Sequence, residues 1–203
     1  MQLRIHRFVP ITRVEGPGER ACIWVQGCPI QCPDCAVPWT WPEDGGESVE
    51  VSALTQRILT GPKVEGITLA GGEPFAQARA LAELGRSLQD AGLSVVTFTG
   101  YLLEHILGSA CEEWHSLVAV SDLLIDGPYR QDMADLSRPW VGSTNQRYHF
   151  LTDRYRQLES CLTDFRNRIE VRLQTDGSIL VNGMANMQDM LSLFDSIGRR
   201  CHF

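Results

Sequence analysis

The sequence predicts an α/β fold, a parallel sheet forming an open or partial barrel with hairpins at its edges. Through the middle of the chain, short apolar runs alternate with helically spaced segments. Strand–helix–strand units of this length require right-handed crossovers between parallel strands. At both ends, turn-flanked apolar runs read instead as hairpins. With 43% hydrophobic and 21% charged residues, the 203-residue chain can bury a real core.

The elements follow in order. Leu3-Arg4-Ile5-His6-Arg7-Phe8-Val9 alternates like a strand, Glu15-Gly16-Pro17-Gly18-Glu19 is turn material, and Ala21-Cys22-Ile23-Trp24-Val25 is a second strand. Residues 36–47, with Pro38, Pro42, Gly45 and Gly46, read as a loop in which Trp39 and Trp41 pack onto the sheet. Ser52 is placed to cap a short helix carrying Leu54, Ile58 and Leu59. Gly66-Ile67-Thr68-Leu69-Ala70 is a buried strand ending in Gly71-Gly72-Glu73-Pro74. A helix follows with Leu81, Leu84, Leu88 and Ala91 on one face, stopped by Gly92. Residues 93–98 form a strand, 101–107 a helix, and 122–125 a strand halted by Asp126-Gly127-Pro128. Near the end, 169–173 and 178–181 flank Thr175-Asp176-Gly177, a hairpin signal. Asn186 caps a last helix whose Met187, Met190, Leu191, Phe194 and Ile197 face the core. With no repeat or linker visible, residues 1–203 read as one domain, with residues 150–203 as a hairpin-plus-helix extension.

Charge and composition exclude several classes. No apolar run approaches the roughly 20 residues of a membrane span. The first twenty residues carry Arg4, Arg7, Arg13 and Arg20 without an apolar stretch, so a cytoplasmic location is expected and no membrane partner. A net charge of −7 gives no support for nucleic acid. Arg154, Arg156, Arg166, Arg168 and Arg172 are interleaved with carboxylates, as on a solvated mixed-charge face. Lys63, in a turn, is the lone lysine and unsuited to Schiff-base chemistry.

Seven cysteines, an odd count, argue against a disulfide framework. Cys22, Cys111, Cys161 and Cys201 are scattered. Cys28, Cys32 and Cys35 fall within eight residues as C-x3-C-x2-C. Three thiolates on one proline-stiffened loop converge on a soft metal centre. Structural zinc takes four ligands, and no second C-x2-C is present. A cubane iron–sulfur cluster fits better, because three cysteines leave one iron open to substrate. A zinc site or an incidental thiol loop is the competing reading.

The C-x3-C-x2-C spacing resembles the radical S-adenosylmethionine superfamily, and the chain is most similar to its small activating proteins of glycyl-radical enzymes. The resemblance runs from residue 16 to residue 147. It is carried by Gly16-Pro17-Gly18-Glu19-Arg20, Gly27-Cys28, Gly71-Gly72-Glu73-Pro74, Thr99-Gly100-Tyr101, Asp126-Gly127-Pro128-Tyr129 and Gly142-Ser143-Thr144-Asn145-Gln146-Arg147. It implies a partial (β/α) barrel of the radical SAM type and a [4Fe-4S] cluster on Cys28, Cys32 and Cys35. S-adenosylmethionine on the open iron would be cleaved reductively to a 5′-deoxyadenosyl radical. The implied partners are a glycyl-radical enzyme, such as an anaerobic ribonucleotide reductase, and a low-potential electron donor such as flavodoxin or ferredoxin.

By the same resemblance, Gly71, Gly72, Glu73 and Pro74 take the cofactor's amino group, the glycines admitting backbone carbonyls and Glu73 a charge-assisted bond. An ordinary strand–helix turn with Glu73 as its cap is the alternative. Thr99 and Asp126 would hold the sugar hydroxyls or carboxylate end, although Asp126 also suits a turn before Gly-Pro. Two departures stand out. Related activases often carry a lysine where Pro128 stands, leaving Arg130 as a substitute, and Asp34 occupies a position where many relatives place an aromatic ring. By the same resemblance Asn145, Gln146 and Arg147 border the cofactor cleft or the partner surface, simple loop hydrogen bonding is the alternative, and no catalytic role is assigned to them. Two other functions compete: radical chemistry on a small molecule, nucleotide or peptide, and a non-enzymatic, metal-stabilised binding module.

Overall fold

The apolar run Arg20–Val25 and the three short apolar runs after it become neighbouring strands of one sheet. The computed structural model describes residues 1–165, 167–173, 176–185 and 187–199. In chain order the elements are β1 (Gln2–Thr12), β2 (Arg20–Val25), β3 (Glu47–Glu50), α1 (Val51–Leu59), β4 (Gly66–Gly71), α2 (Ala78–Asp90) and β5 (Ser94–Phe98). Then come α3 (Leu103–Gly108), α4 (Glu112–Ala119), β6 (Leu123–Asp126), β7 (Arg147–Phe150), β8 (Ile169–Leu173), β9 (Ile179–Gly183) and α5 (Met187–Arg199).

Among the described residues the main sheet runs β3-β1-β2-β4-β5-β6-β7. β2, β4, β5 and β6 are parallel, while β1, β3 and β7 pair antiparallel at the flanks. β3 and β7 are its free edges, so the fold is mixed α/β with a parallel centre and an open sheet. Three elements were not foreseen. β3 follows the expected loop and pairs with β1, β7 pairs with β6, and α4 sits between α3 and β6. Ser52 is no cap: α1 starts one residue earlier, with extended Glu50 in the cap position and no side-chain bond.

Side chains alternate across the sheet as period-2 strands require. Ile23, Val25, Ile67, Leu69, Val95 and Leu124 face one side, where they meet Leu54 and Ile58 of α1, Leu81, Leu84 and Leu88 of α2, and Leu117 of α4. Each fully buried leucine of α2 contributes about 1.5–3 kcal/mol relative to an exposed one. Val96, Leu123 and Ile125 face the other side, under Trp140, Val141 and Tyr155.

The β8–β9 hairpin joins the end of β1 through polar contacts. Arg7 Nη2 donates to Asn182 Oδ1 at 2.6 Å, Thr12 Oγ1 to Glu170 Oε2 at 2.8 Å, and Gly183 N to Glu15 Oε1 at 3.1 Å. The expected cap Asn186 and turn residue Thr175 lie outside the described residues, as do the side chains of Met187 and Ile197. Leu191 and Phe194 are exposed, so this part of the α5 stripe does not join the core.

Candidate functional site

The parallel strands all point their carboxyl ends at one edge, where open α/β sheets place ligands. β2 leads into Gly27–Cys35, β4 into Gly72–Pro74, β5 into Thr99–Tyr101 and β6 into Gly127–Tyr129. These loops wall a cavity of about 140 Å³ that Cys28, Cys32 and Cys35 share with Gly71, Gly72, Glu73 and Thr99.

The cysteine loop is held from outside. Gly27 N donates to Thr40 O at 2.8 Å and Cys28 N to Trp41 O at 3.0 Å, while Gln26 Nε2 donates to Trp39 O and Pro42 O. Inside the loop Gln31 and Asp34 take the left-handed conformation, at φ 50° and 59°. Such non-glycine residues cost about 1–3 kcal/mol each and persist where the surroundings over-determine them, often at ligand clamps. All three thiols are free and half-buried. Burial pushes the Cys28 and Cys32 thiols up, against backbone amides of Gln31 and Ile30 at Cys28 and of Tyr129 at Cys32. Amides aimed at sulfur are what an iron–sulfur centre uses to tune its potential. Among the described residues no three Cys, His, Asp or Glu side chains converge tightly enough for a single ion. A cubane, whose thiolates sit on separate irons, suits three cysteines around one shared space.

Glu73 is 1% exposed, and burial raises its carboxyl to about 7. Phe75 N and the Thr99 hydroxyl donate to Oε1 and Gly100 N to Oε2, each at 2.9 Å. The carboxyl therefore caps the short turn Pro74–Gln77 and also ties β4's exit to β5's. Pro74 opens that turn and is buried without lining the cavity. Close packing also requires the two glycines. A Cβ on Gly71 would lie 2.6 Å from Val25 N, and one on Gly72 would overlap Gly27 O. Gly72 N and Glu73 N donate to Val25 O and Gly27 O, both at 2.8 Å, so this stretch is sewn directly to the cysteine loop.

Asp126 departs from the expectation. Its buried carboxylate does not line the cavity. Arg147 Nε donates to Oδ1 at 2.9 Å and Nη2 to Oδ2 at 2.5 Å, and Leu103 N donates to Oδ2 at 2.8 Å. His149 Nε2 stands 3.0 Å from Oδ2, off hydrogen-bond geometry. Burial alone would raise this carboxyl, yet Arg147 and the Leu103 amide hold it below its ordinary value. Arg147 continues to Glu104 on α3. Arg130 pairs with Asp132 on the surface and does not reach the cavity. Gln146 lines it, with its amide bound to Gly142 N, Ser143 N and Gly127 O. Trp41, Phe98 and Tyr129 also form walls that the sequence reading did not assign. Trp39, expected against the sheet, is 57% exposed.

A family model described as a 4Fe-4S single cluster domain matches residues 14–149. The chain is 30% identical over 158 residues to the anaerobic ribonucleoside-triphosphate reductase-activating protein of Escherichia coli K12, covering 73% of this chain and 99% of that one. Over 93 residues it is 33% identical to a Haemophilus influenzae protein named for glycyl-radical enzyme activation, 44% of this chain and 36% of that one. Among solved structures, QueE from Escherichia coli overlaps 49% of this chain and 53% of that chain at 22% identity and a TM-score of 0.40, an overlap too partial to build on.

Proposed function

The chain belongs to the family of anaerobic ribonucleoside-triphosphate reductase-activating proteins, and from that premise we propose that Cys28, Cys32 and Cys35 hold its [4Fe-4S] cluster and leave one iron to S-adenosylmethionine. It is a radical SAM enzyme of the glycyl-radical activase class. The observation that carries the residue assignment is the cavity shared by the three thiols, Glu73 and Thr99 at the carboxyl edge of the parallel strands. When bound, the cluster would supply the electron for reductive cleavage of S-adenosylmethionine, the chemistry by which this class takes a hydrogen atom from a glycine of the partner.

The protein's own residues place and shield that chemistry. The thiols of Cys28 and Cys32 give up their protons on binding iron. Gly71 and Gly72 keep the floor of the cavity low enough for backbone to approach. Glu73 and Thr99 fix the exits of β4 and β5 relative to each other. Phe98, Trp41 and Tyr129 exclude water from the site. The cavity is smaller than the roughly 300–1,000 Å³ of sites that enclose a drug-sized ligand, so its lining would hold the cluster rather than enclose the whole of S-adenosylmethionine. Asp126 serves from behind, orienting α3 and β7. We assign the sheet to the partial (β/α) barrel class of the superfamily, the electron donor to the low-potential flavodoxin or ferredoxin type, and the location to the cytoplasm, where cysteine thiols stay reduced and free to take iron.

The test is anaerobic reconstitution with iron and sulfide, reduction by dithionite, and assay for 5′-deoxyadenosine, then addition of the cognate anaerobic ribonucleoside-triphosphate reductase. The expected result is nucleoside production and a glycyl-radical signal by electron paramagnetic resonance on the reductase. Nucleoside production coupled to turnover of a small substrate, with no radical on the reductase, would overturn the partner assignment. A cluster ligated by a fourth side chain of this chain would overturn the cofactor assignment.

A further inference from the structure

We propose that the partner's glycine-bearing loop docks across Trp39 and Leu102, two exposed apolar side chains on loops that wall the thiol cavity, with basic residues of the partner facing an acidic rim. The inference rests on the activase reading and extends it from cofactor to protein substrate.

Trp39 is 57% exposed although the next two residues, Thr40 and Trp41, line the cavity. Its backbone is nonetheless fixed: Trp39 O accepts from Gln26 Nε2 at 3.2 Å, Thr40 N donates to Val37 O and Trp41 N to Pro38 O. An indole carried on a fixed backbone costs less ordering on contact than one on a loose loop, and tryptophan is among the side chains enriched in binding hot spots. Leu102, 44% exposed, stands two residues after the cavity-lining Gly100, and the next residue is anchored by Leu103 N to Asp126. Apolar contacts thus sit on two loops of one mouth, and a glycine between them presents only backbone to the narrow cavity.

Charge selects the kind of partner. Between Arg20 and Arg57 the chain carries five carboxylates and no lysine or arginine. Asp34, Glu43 and Asp44 of this stretch are exposed, and none is in an ion pair among the described residues. Such a rim attracts a basic loop and repels a second copy of this chain, whose net charge is −7.

The experiment uses reconstituted Trp39→Ala, Trp39→Phe and Leu102→Ala proteins and a Glu43→Gln/Asp44→Asn variant, with thermal melts as a folding control. Production of 5′-deoxyadenosine without the reductase should match wild type in all of them. The reductase concentration giving half-maximal glycyl radical should rise roughly ten- to thirtyfold for Trp39→Ala and recover largely with Phe. It should rise and lose its salt dependence in the neutralised variant, because the screened attraction is gone. Unchanged half-maximal concentrations in Trp39→Ala and Leu102→Ala would overturn the docking surface while leaving the activase reading intact. So would a wild-type dimer, seen by sedimentation, that Trp39→Ala converts to monomer. Absence of 5′-deoxyadenosine from wild type would instead remove the activase reading and this proposal together.

Discussion

Replacing Glu73 by Gln separates the charge of that carboxyl from its shape. In the wild type, burial lifts the group from the ordinary 4.5 to about 7, against the pull of the Phe75 and Gly100 amides and the Thr99 hydroxyl. A folded-state pKa above the unfolded one means that the native state holds the proton more tightly. The stabilisation is therefore complete below about 4.5 and is lost as pH rises through about 7. Between pH 6 and pH 8 the loss comes to about 1.4 kcal/mol, or roughly 3–5 °C in melting temperature for a chain of this size. Gln cannot titrate, so that slope disappears. It also cannot satisfy the site: its carbonyl accepts from Phe75 N and Thr99, but its amide nitrogen then meets Gly100 N, donor against donor. That mismatch costs about 1–3 kcal/mol at any pH. Urea unfolding of the reduced, cluster-free protein at pH 6, 7 and 8 should show the variant less stable at pH 6 and the gap closing toward pH 8. A gap that stays constant, or widens with pH, would refute the assignment of Glu73 as a buried, proton-holding clamp.

Substituting Cys32 by Ala should abolish 5′-deoxyadenosine production and deplete bound iron, and full-rate production would show that the cluster lies elsewhere. Gly72→Ala forces a Cβ against Gly27 O, so it should lower the melting temperature by about 3–10 °C and loosen iron retention; unchanged melting and iron content would contradict the contact. Arg147→Met leaves the buried Asp126 with Leu103 N as its donor. Because Asp126 titrates below its ordinary value when folded, its stabilisation is present above that ordinary value and fails as pH drops through the lowered one. The variant should unfold at a higher pH on acidification and lose about 1–3 kcal/mol near neutrality, the half-exposed arginine counting for less than a buried one; an acid midpoint equal to wild type by circular dichroism would refute the pairing. Tyr155→Phe should cost about 1–3 kcal/mol in urea unfolding, since the hydroxyl both accepts from Arg20 and donates to Glu65.

The elements legible in the sequence are those whose pattern and burial agree. β2, β4, β5 and β6 are buried apolar runs, and Leu81, Leu84 and Leu88 mark α2 by spacing alone. β3, Glu-Ser-Val-Glu, and β7, Arg-Tyr-His-Phe, sit at sheet edges, where burial on one side leaves polar residues free to alternate without an apolar signal. α4 has one buried hydrophobic residue, Leu117, and no side-chain cap, so neither periodicity nor capping announces it. At the site, the gathering of Cys28, Cys32 and Cys35 at one cavity was legible from their close spacing in the chain. The partner of Asp126 was not, since a position at a strand end says nothing about Arg147, 21 residues later within the Gly-Ser-Thr-Asn-Gln-Arg stretch. Trp39 and Trp41 are one residue removed from each other yet face solvent and cavity respectively, a division set by the bonds that Gln26 and Cys28 make to the loop backbone.

The same four parallel strands carry opposite demands at their two edges. At the amino-terminal edge Arg20 is fully buried, and its guanidinium donates to Thr68 Oγ1, Pro17 O, Ser94 Oγ, Tyr155 OH, Ser94 O and Ile67 O. None of these acceptors is a carboxylate. Glu65 reaches the charge through the Tyr155 hydroxyl, which donates to Glu65 Oε1 at 2.7 Å. Tyr155 lies beyond residues 14–149, so the buried cation that locks β2, β4 and β5 is linked to its carboxylate, Glu65, through a hydroxyl from outside the family-matched segment. At the carboxyl edge, Gln31 and Asp34 keep the cysteine loop in a conformation that costs energy on its own. A loop of that kind stays folded only while its anchors, Val25, Gly27 and Gly72, do not slide against one another. Arg20 and Tyr155 tie the far ends of β2, β4 and β5 together, so a residue after 150 contributes to holding those strands in register.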